Sequence, residues 1–248
     1  MLCIIHHRSK DHILVENIDK HIEFAHQLGT TICVIEDSYL INRGVEWVCH
    51  RKGVLYGNTG VEIRNPSYSR NLALKWSSDD SVIMLDTEVV PEEDLTYFNV
   101  LRIIAAHPLS IIRFSVLWEE EDGTFGERLP SADPRSLAEI EPRYFYGAAF
   151  YANRSVIDLD CYHDIDFVGW GYEDNDFVFR CGLRGIEVLR YNGAKFRHRY
   201  HGKNDMMAGD AARNRKLMEK NKKRHLQAFS SSREFSISTG DLTRNPLH

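Results

Sequence analysis

The sequence predicts a single α/β domain built on a mostly parallel, Rossmann-like central sheet flanked by helices. Three observations predict it. The chain opens in strand–helix–strand order, the signature of a parallel pair joined by a crossover helix. A third strongly apolar strand, residues 81–85, ends abruptly in the acids Asp86 and Glu88. The 248 residues are 43% hydrophobic, enough apolar surface for one core of this size.

The elements follow in order. Residues 2–5 are apolar without interruption, as a buried strand is. Residues 11–28 place Ile13, Leu14, Ile18, Ile22, Phe24, Ala25 and Leu28 at nearly helical spacing, and Gly29 suits the stop. Residues 31–35 are rich in β-branched side chains and lead into Glu36-Asp37-Ser38. Ligands of parallel sheets gather at the carboxyl ends of the strands, so His6, His7, Arg8, Glu36 and Asp37 are candidate binding residues. A helix is predicted over 68–77, capped by Ser67 or Ser69. The strand 81–85 comes next, then Val89-Val90-Pro91, a helix over 92–106 and a strand over 111–117. Residues 118–142 are polar, acidic and supplied with Gly and Pro. They read as a long mobile loop, a feature more often functional than accidental. Strand 144–151, helix 174–183, strand 186–191, a basic segment 195–204 and a basic helix 208–229 complete the series. The polar tail 230–248 is expected to be disordered.

Charge and cysteine usage narrow the function classes. A net charge of −5 and a pI near 6.2 give no overall attraction to nucleic acid or to an anionic membrane. The basic helix 213–224 allows at most peripheral membrane contact and reads first as a solvated face. Cys3, Cys33, Cys49, Cys161 and Cys181 are scattered, with no C-x-x-C pair, so reduced, mostly buried thiols are expected. The start is a short apolar run met at once by His, Arg and Lys, unlike a signal peptide. No run approaches the roughly 20 apolar residues that span a bilayer. A cytoplasmic protein is expected, or a domain cut from an anchored parent.

Four constellations carry chemistry. Asp86-Thr87-Glu88 delivers two carboxylates to a strand's carboxyl edge. Positions i and i+2 of an extended backbone share a face, and paired oxygen ligands suit Mg²⁺ or Mn²⁺. Gly169-Trp170-Gly171-Tyr172-Glu173-Asp174-Asn175-Asp176 sets acids at a helix start, where the backbone dipole stabilises each by about 0.3–1 kcal/mol. Three acids beside Trp and Gly exceed what capping needs: Trp170 can stack on a sugar, and a carboxylate can take a proton from a hydroxyl. His198-Arg199-Tyr200-His201 offers imidazoles as further metal ligands. Lys195, Arg197, Arg199 and Lys203 around them could neutralise a pyrophosphate or form a solvated loop. Ser69-Arg70-Asn71 lies ahead of the Asp86 strand, where Arg70 could contact phosphates or hold Asp86.

Taken together and in this order, these segments resemble glycosyltransferases of the GT-A fold, with closest likeness to the β-1,4-galactosyltransferase group and its galactosyltransferase-like C-terminal region. Chondroitin-polymerase-type and polypeptide N-acetylgalactosaminyltransferases share parts of the pattern. The most specific stretch runs from Tyr144-Phe145-Tyr146-Gly147 through Gly169-Trp170-Gly171-Tyr172-Glu173-Asp174 to Arg180. It is similar to the family's Y-F-x-G, then F-x-G-W-G-x-E-D, then a helix ending in Arg. The likeness covers residues 1 to about 205. It implies one catalytic domain over 1–229, with a nucleotide-binding half at 1–91, an acceptor and catalytic half at 92–205 and a last helix at 206–229.

The resemblance also implies roles. Asp37 would bind the uracil or ribose of a UDP-sugar, with His7 and Arg8 beside the nucleotide and Arg70 near its phosphates. Asp86 would contact the ribose or the metal, and Glu88 would ligate Mn²⁺ (or Mg²⁺). His198 matches the late metal-binding His, with His201 as the alternative one turn on. Asp174 would be the general base, Glu173 would bond the acceptor or donor sugar, and Trp170, Gly171, Tyr146 and Gly147 would line the sugar site. The acceptor would be a glycan, a lipid-linked saccharide or a small molecule. The implied reaction is transfer with inversion; a retaining transferase and a non-catalytic nucleotide- or carbohydrate-binding protein are the alternatives. Two positions depart from the pattern: Glu88 replaces the second Asp of D-x-D, and Gly147-Ala148 replaces a glycine pair.

Overall fold

A computed structural model describes residues 1–7, 11–63, 65–76, 79–92, 96–126, 148–153, 164–169, 171–200 and 207–241. One sheet forms the centre. The first half is parallel: β1 (Leu2–His7) lies between β2 (Thr31–Glu36) and β4 (Ser81–Asp86), and β3 (Leu55–Asn58) extends β2 at the edge. β8 (Ala149–Asn153) pairs antiparallel with both β4 and β6 (Ile111–Glu119). β9 (Val188–His198) then runs parallel to β6, and β5 (Val89–Pro91) caps that side antiparallel to β9. The hairpin strand β7 (Phe125–Gly126) hangs from β6.

Alternation along the strands builds two cores. Cys3 and Ile5 of β1 and Ile83 and Leu85 of β4 face one side. There they meet Leu14 and Ile18 of α1 (Asp11–Gln27) and Val45 and Cys49 of α2 (Arg43–Arg51), while Val100 of α4 (Thr96–Ala106) joins the same core. Leu2, Ile4, Val82 and Met84 face the other side. They pack on Ala73 and Leu74 of α3 (Pro66–Trp76) and on Phe177 and Cys181 of α5 (Glu173–Leu183). This period-2 sorting into a three-layer sandwich sets the site, because the next side chains, His6 and His7, must also point to opposite layers. The last helix, α6 (Met207–Asp241), docks against α5.

Several boundaries differ from expectation. α2 and β3 occupy residues 43–58, where the sequence signalled no element; the helix is only nine residues and the strand four. α3 begins at Pro66 rather than 68, and Asn65, not a serine, caps it: its Oδ1 accepts the Tyr68 N–H at 2.8 Å. The strand 111–117 extends to Glu119 and turns back into β7, so the long loop expected from 118 begins as a hairpin. β9 joins into one strand what read as a strand and a separate basic segment, with a register shift between Phe114 and Ser115 of its partner. α6 passes the expected stop at Phe229 and continues to Asp241, since no proline and no glycine interrupts residues 230–239; 242–248 lie outside the described residues. Cys3, Cys33, Cys49 and Cys181 are buried and form no disulfide, and burial pushes the first three thiols up to about 12. Among the described residues no helix is long and apolar enough to cross a membrane.

Candidate active site

The site lies where β1, β2 and β4 end. On the α3–α5 side, Arg70 reaches up from α3 with only 3% of its surface exposed. Its Nη1 lies 2.6 Å from Asp174 Oδ1 and 3.8 Å from Glu173 Oε1; its Nη2 lies 3.4 Å from Asp86 Oδ1. One guanidinium therefore joins the end of the central strand to the start of α5. His6 completes this cluster: Nδ1 is 3.4 Å from Asp86 and Nε2 is 3.7 Å from Asp37. Burial opposes a charge on His6, but Asp37 and Asp86 on either side outweigh it and raise its pKa. Burial likewise works against the Asp86 carboxylate, yet the His6 contact and Arg70 take it below its ordinary value. Four carboxylates, Asp37, Asp86, Glu173 and Asp174, here face the Arg70 guanidinium and the His6 ring.

The other side of the strand ends faces α1 and β9. His7 is buried with Nδ1 3.1 Å from Thr87 Oγ1. The Thr87 hydroxyl also lies 3.0 Å from the His6 carbonyl, to which it donates, so Nδ1 of His7 donates in turn. β4 stops at Asp86, and Thr87-Glu88 forms a turn into β5. The two carboxylates therefore do not sit on one extended strand as the i, i+2 argument assumed. The reason is a change of partner. The Thr87 N–H bonds the His6 carbonyl of β1, whereas the Glu88 carbonyl takes the Arg199 N–H beyond β9, at 3.0 Å. That pairing sets His198 in register with Val89. His198 is buried, its ring stacked on Trp118 at 3.9 Å between centroids.

The Gly-rich segment aims α5. Gly169, Gly171 and Tyr172 have φ of 82°, 93° and 71°, and Tyr172 is the one non-glycine at positive φ among the described residues. A side chain at Gly169 would also collide with Asp210 of α6, a Cβ there lying 2.2 Å from Oδ2. Left-handed backbone at a non-glycine costs about 1–2 kcal/mol and clusters at functional sites. The turn is pinned from α6: Asn214 Nδ2 donates to the Val168 carbonyl at 3.1 Å. Asn221 Nδ2 donates to Asp164 at 2.8 Å and to Asp176 at 3.3 Å.

The structure thus brings Arg70, Asp86, Glu173 and Asp174 together directly. Asp37 joins through His6, but its carboxylate is fully buried and accepts the Asn65 N–H at 2.9 Å, holding the start of α3. Glu88 and His198 meet through adjacent backbone. Gly171 lies near Ala211 of α6. Arg8, Tyr146, Gly147, Trp170 and His201 lie outside the described residues. His6 was a candidate only by its strand-end position; Asn17 and His21 of α1, treated below, carried no signal beyond helical spacing.

A divalent cation fits the donor chemistry. Among the described residues no three His, Cys, Asp or Glu side chains already converge on one point. A magnesium-like ion, however, is commonly held by one or two carboxylates with substrate phosphates. Glu88 and His198, adjacent through backbone at the ends of neighbouring strands, are a carboxylate and an imidazole, side-chain types that take such ions.

No protein-family model matches the chain, and no curated protein matches it by sequence. Solved structures do. The Staphylococcus aureus TarS complex with UDP-GlcNAc superposes with a TM-score of 0.65 at 13% identity, over 84% of this chain and 60% of that one. A mannosyltransferase of Pyrobaculum calidifontis, in complex with GDP-Man and Mn²⁺, gives 0.59 at 13%, over 83% and 58%. GalNAc-T7 with UDP, GalNAc and Mn²⁺ gives 0.64 at 12%, over 86% and 46%. The fold is that of the GT-A glycosyltransferases. The chain spans 36% to 60% of the length of the neighbours it matches.

Proposed function

We propose that this chain is a metal-dependent glycosyltransferase that moves a Gal-, GalNAc- or Glc-type sugar from a UDP-sugar to an acceptor hydroxyl with inversion. The observation that carries the reading is the Arg70 bridge. On a GT-A scaffold it ties Asp86, at the strand-end acid motif, to Glu173 and Asp174 at the start of α5. The donor and acceptor halves of the expected site are thereby one charged cluster. The structural neighbours were solved with UDP-GlcNAc, UDP and GDP-Man, which supports a nucleotide-sugar donor here.

Asp174 is the residue assigned to accept the acceptor's proton. Arg70 Nη1, 2.6 Å from its Oδ1, holds the carboxylate in place at the start of α5. As the proton passes to Asp174, the acceptor oxygen bonds the anomeric carbon. The bond from that carbon to the diphosphate oxygen breaks, and UDP departs with the electron pair. Glu88 and His198 are the residues assigned to hold Mn²⁺ or Mg²⁺, which when bound offsets charge on the diphosphate. Glu173 is assigned to the sugar hydroxyls.

Calorimetric titration of UDP with and without Mn²⁺ tests the donor site. Metal-dependent binding in the wild type that disappears in Glu88→Ala is the expected result, followed by acceptor-dependent UDP release that disappears in Asp174→Asn. Absence of UDP binding with any divalent metal would refute the proposal.

A further inference from the structure

Three consecutive carbonyls, those of Thr87, Glu88 and Val89, are each bonded from outside their own strand. Asn17 Nδ2 donates to the Thr87 carbonyl at 2.9 Å. His21 Nε2 lies 2.7 Å from the Val89 carbonyl, which can only accept, so Nε2 carries the proton. The backbone N–H of Arg199 takes the Glu88 carbonyl between them at 3.0 Å. Asn17 and His21 are one helical turn apart on the same face of α1, and neither has any solvent exposure. The Arg199 guanidinium returns to that face, bonding Glu16 and reaching Asn17 Oδ1 at 3.4 Å. Here two buried side chains and one backbone N–H hold three successive peptide planes: Asn17 the 87–88 plane, the Arg199 N–H the 88–89 plane and His21 the 89–90 plane.

We infer that Asn17 and His21 form a positioning clamp that sets the direction of the Glu88 carboxylate, and so the strength of metal-dependent donor binding. The inference rests on the donor-site reading above. Neither residue touches the metal or the nucleotide. Their action passes through the turn backbone: Asn17 holds the 87–88 plane directly, and His21 anchors the 89–90 plane just beyond the 88–89 plane that the Arg199 N–H bonds, so the Cα–Cβ direction of Glu88 is set between two fixed points. Groups that orient a metal ligand are typically worth about 10–100-fold in metal affinity.

The test is a titration of Mn²⁺ into protein with excess UDP, read by electron paramagnetic resonance of free Mn²⁺. The set is wild type, Asn17→Leu, His21→Leu and His21→Gln, each also in a Glu88→Ala background. The clamp predicts that Asn17→Leu and His21→Leu each weaken Mn²⁺ binding by about tenfold. His21→Gln, which keeps an N–H donor, recovers most of the loss. In the Glu88→Ala background the same substitutions have no further effect, which a merely structural role would not produce. Circular dichroism identifies any variant that fails to fold, and the other leucine variant with the glutamine variant then carries the comparison. Folded leucine variants with wild-type Mn²⁺ affinity, or equal losses with and without Glu88, overturn the clamp alone. A wild type that binds no Mn²⁺–UDP overturns the donor-site reading and the clamp with it.

Discussion

Arg70→Met is the substitution whose effect the structure fixes best. Methionine fills the space of the arginine stem but removes a charge that three carboxylates share. The guanidinium is 3% exposed, while the side chains of Asp86, Asp174 and Glu173 are 24%, 14% and 8% exposed. At an effective dielectric of about 20, one ion pair at about 4 Å is worth about 4 kcal/mol. Removing one partner of a buried pair costs about 3–5 kcal/mol, because the other is left uncompensated. The partial exposure of Asp86 and Asp174 lets water take up some of that loss, so the expected destabilisation is about 3 kcal/mol at pH 7.5. The assay is urea unfolding followed by tryptophan fluorescence. The deficit should narrow by pH 3, below the ordinary Asp value of about 3.9, because the wild type there loses the stability that Arg70 lends by holding the Asp86 carboxylate below its ordinary pKa. Asp174→Asn placed on Arg70→Met should recover at least about 1 kcal/mol, a coupling typical of residues in contact. A loss below about 1 kcal/mol, or one that is the same at both pH values, would refute the charge argument.

Gly169→Ala should cost about 1–2 kcal/mol from its left-handed backbone, with a further loss as Asp210 is displaced; a melting temperature equal to wild type would contradict the close approach. Burial lowers His21 to about 4 from an ordinary 6.5, with the Val89 carbonyl partly opposing it. Between those values the unfolded chain binds a proton that the folded chain does not, so stability falls as pH drops from 6.5 towards 4. The full effect is about 3 kcal/mol, and His21→Gln should lose that part of the acid slope; an unchanged slope in unfolding titrations speaks against it. Asn221→Leu leaves the buried Asp176 with one oxygen lacking its donor, at about 1.5–3 kcal/mol. Hydrogen exchange should quicken at residues 164–176 more than in β1, and uniform acceleration would count against local pinning.

Much of the scaffold was legible because local rules and burial agree. β1, α1, β2 and β4 have the apolar spacing their burial requires, and Gly29 ends α1 at φ 65° as a helix stop should. Asp86, Glu173 and Asp174 could be singled out because acids at a strand end and at a helix start carry chemistry. What stayed hidden depends on pairing across long separations. Nothing in the composition of residues 43–58 exceeds the noise of two short elements. Nothing local says that β9 runs straight into His198 or that Val89 lies opposite it. The Asp86–Glu88 spacing misled for the same reason: the strand ends when its hydrogen-bond partner changes from β1 to the residue after β9, Arg199, far along the chain. His21 and Asn17 look like ordinary polar positions of an amphipathic helix until the turn they bond is placed against them.

The two faces of the β4 end also divide the labour. His6, Asp86, Arg70 and the start of α5 belong to the α3–α5 layer, while His7, Thr87, Asn17, His21 and the end of β9 belong to the α1 layer. The alternation of β1 forces this, because His6 and His7 are adjacent and must point apart. Among the described residues Thr87 links the layers: its Oγ1 bonds the His7 ring on one side and donates to the carbonyl of His6 on the other. Charge on one side is balanced by Arg70, and geometry on the other by neutral hydrogen bonds to carbonyls. Damage to one side should therefore reach the other weakly, so the stability losses of Arg70→Met and His21→Leu should add to within about 0.5 kcal/mol, as they do for sites without shared partners. Strong non-additivity would mean that the Thr87 turn transmits strain between the layers rather than insulating them.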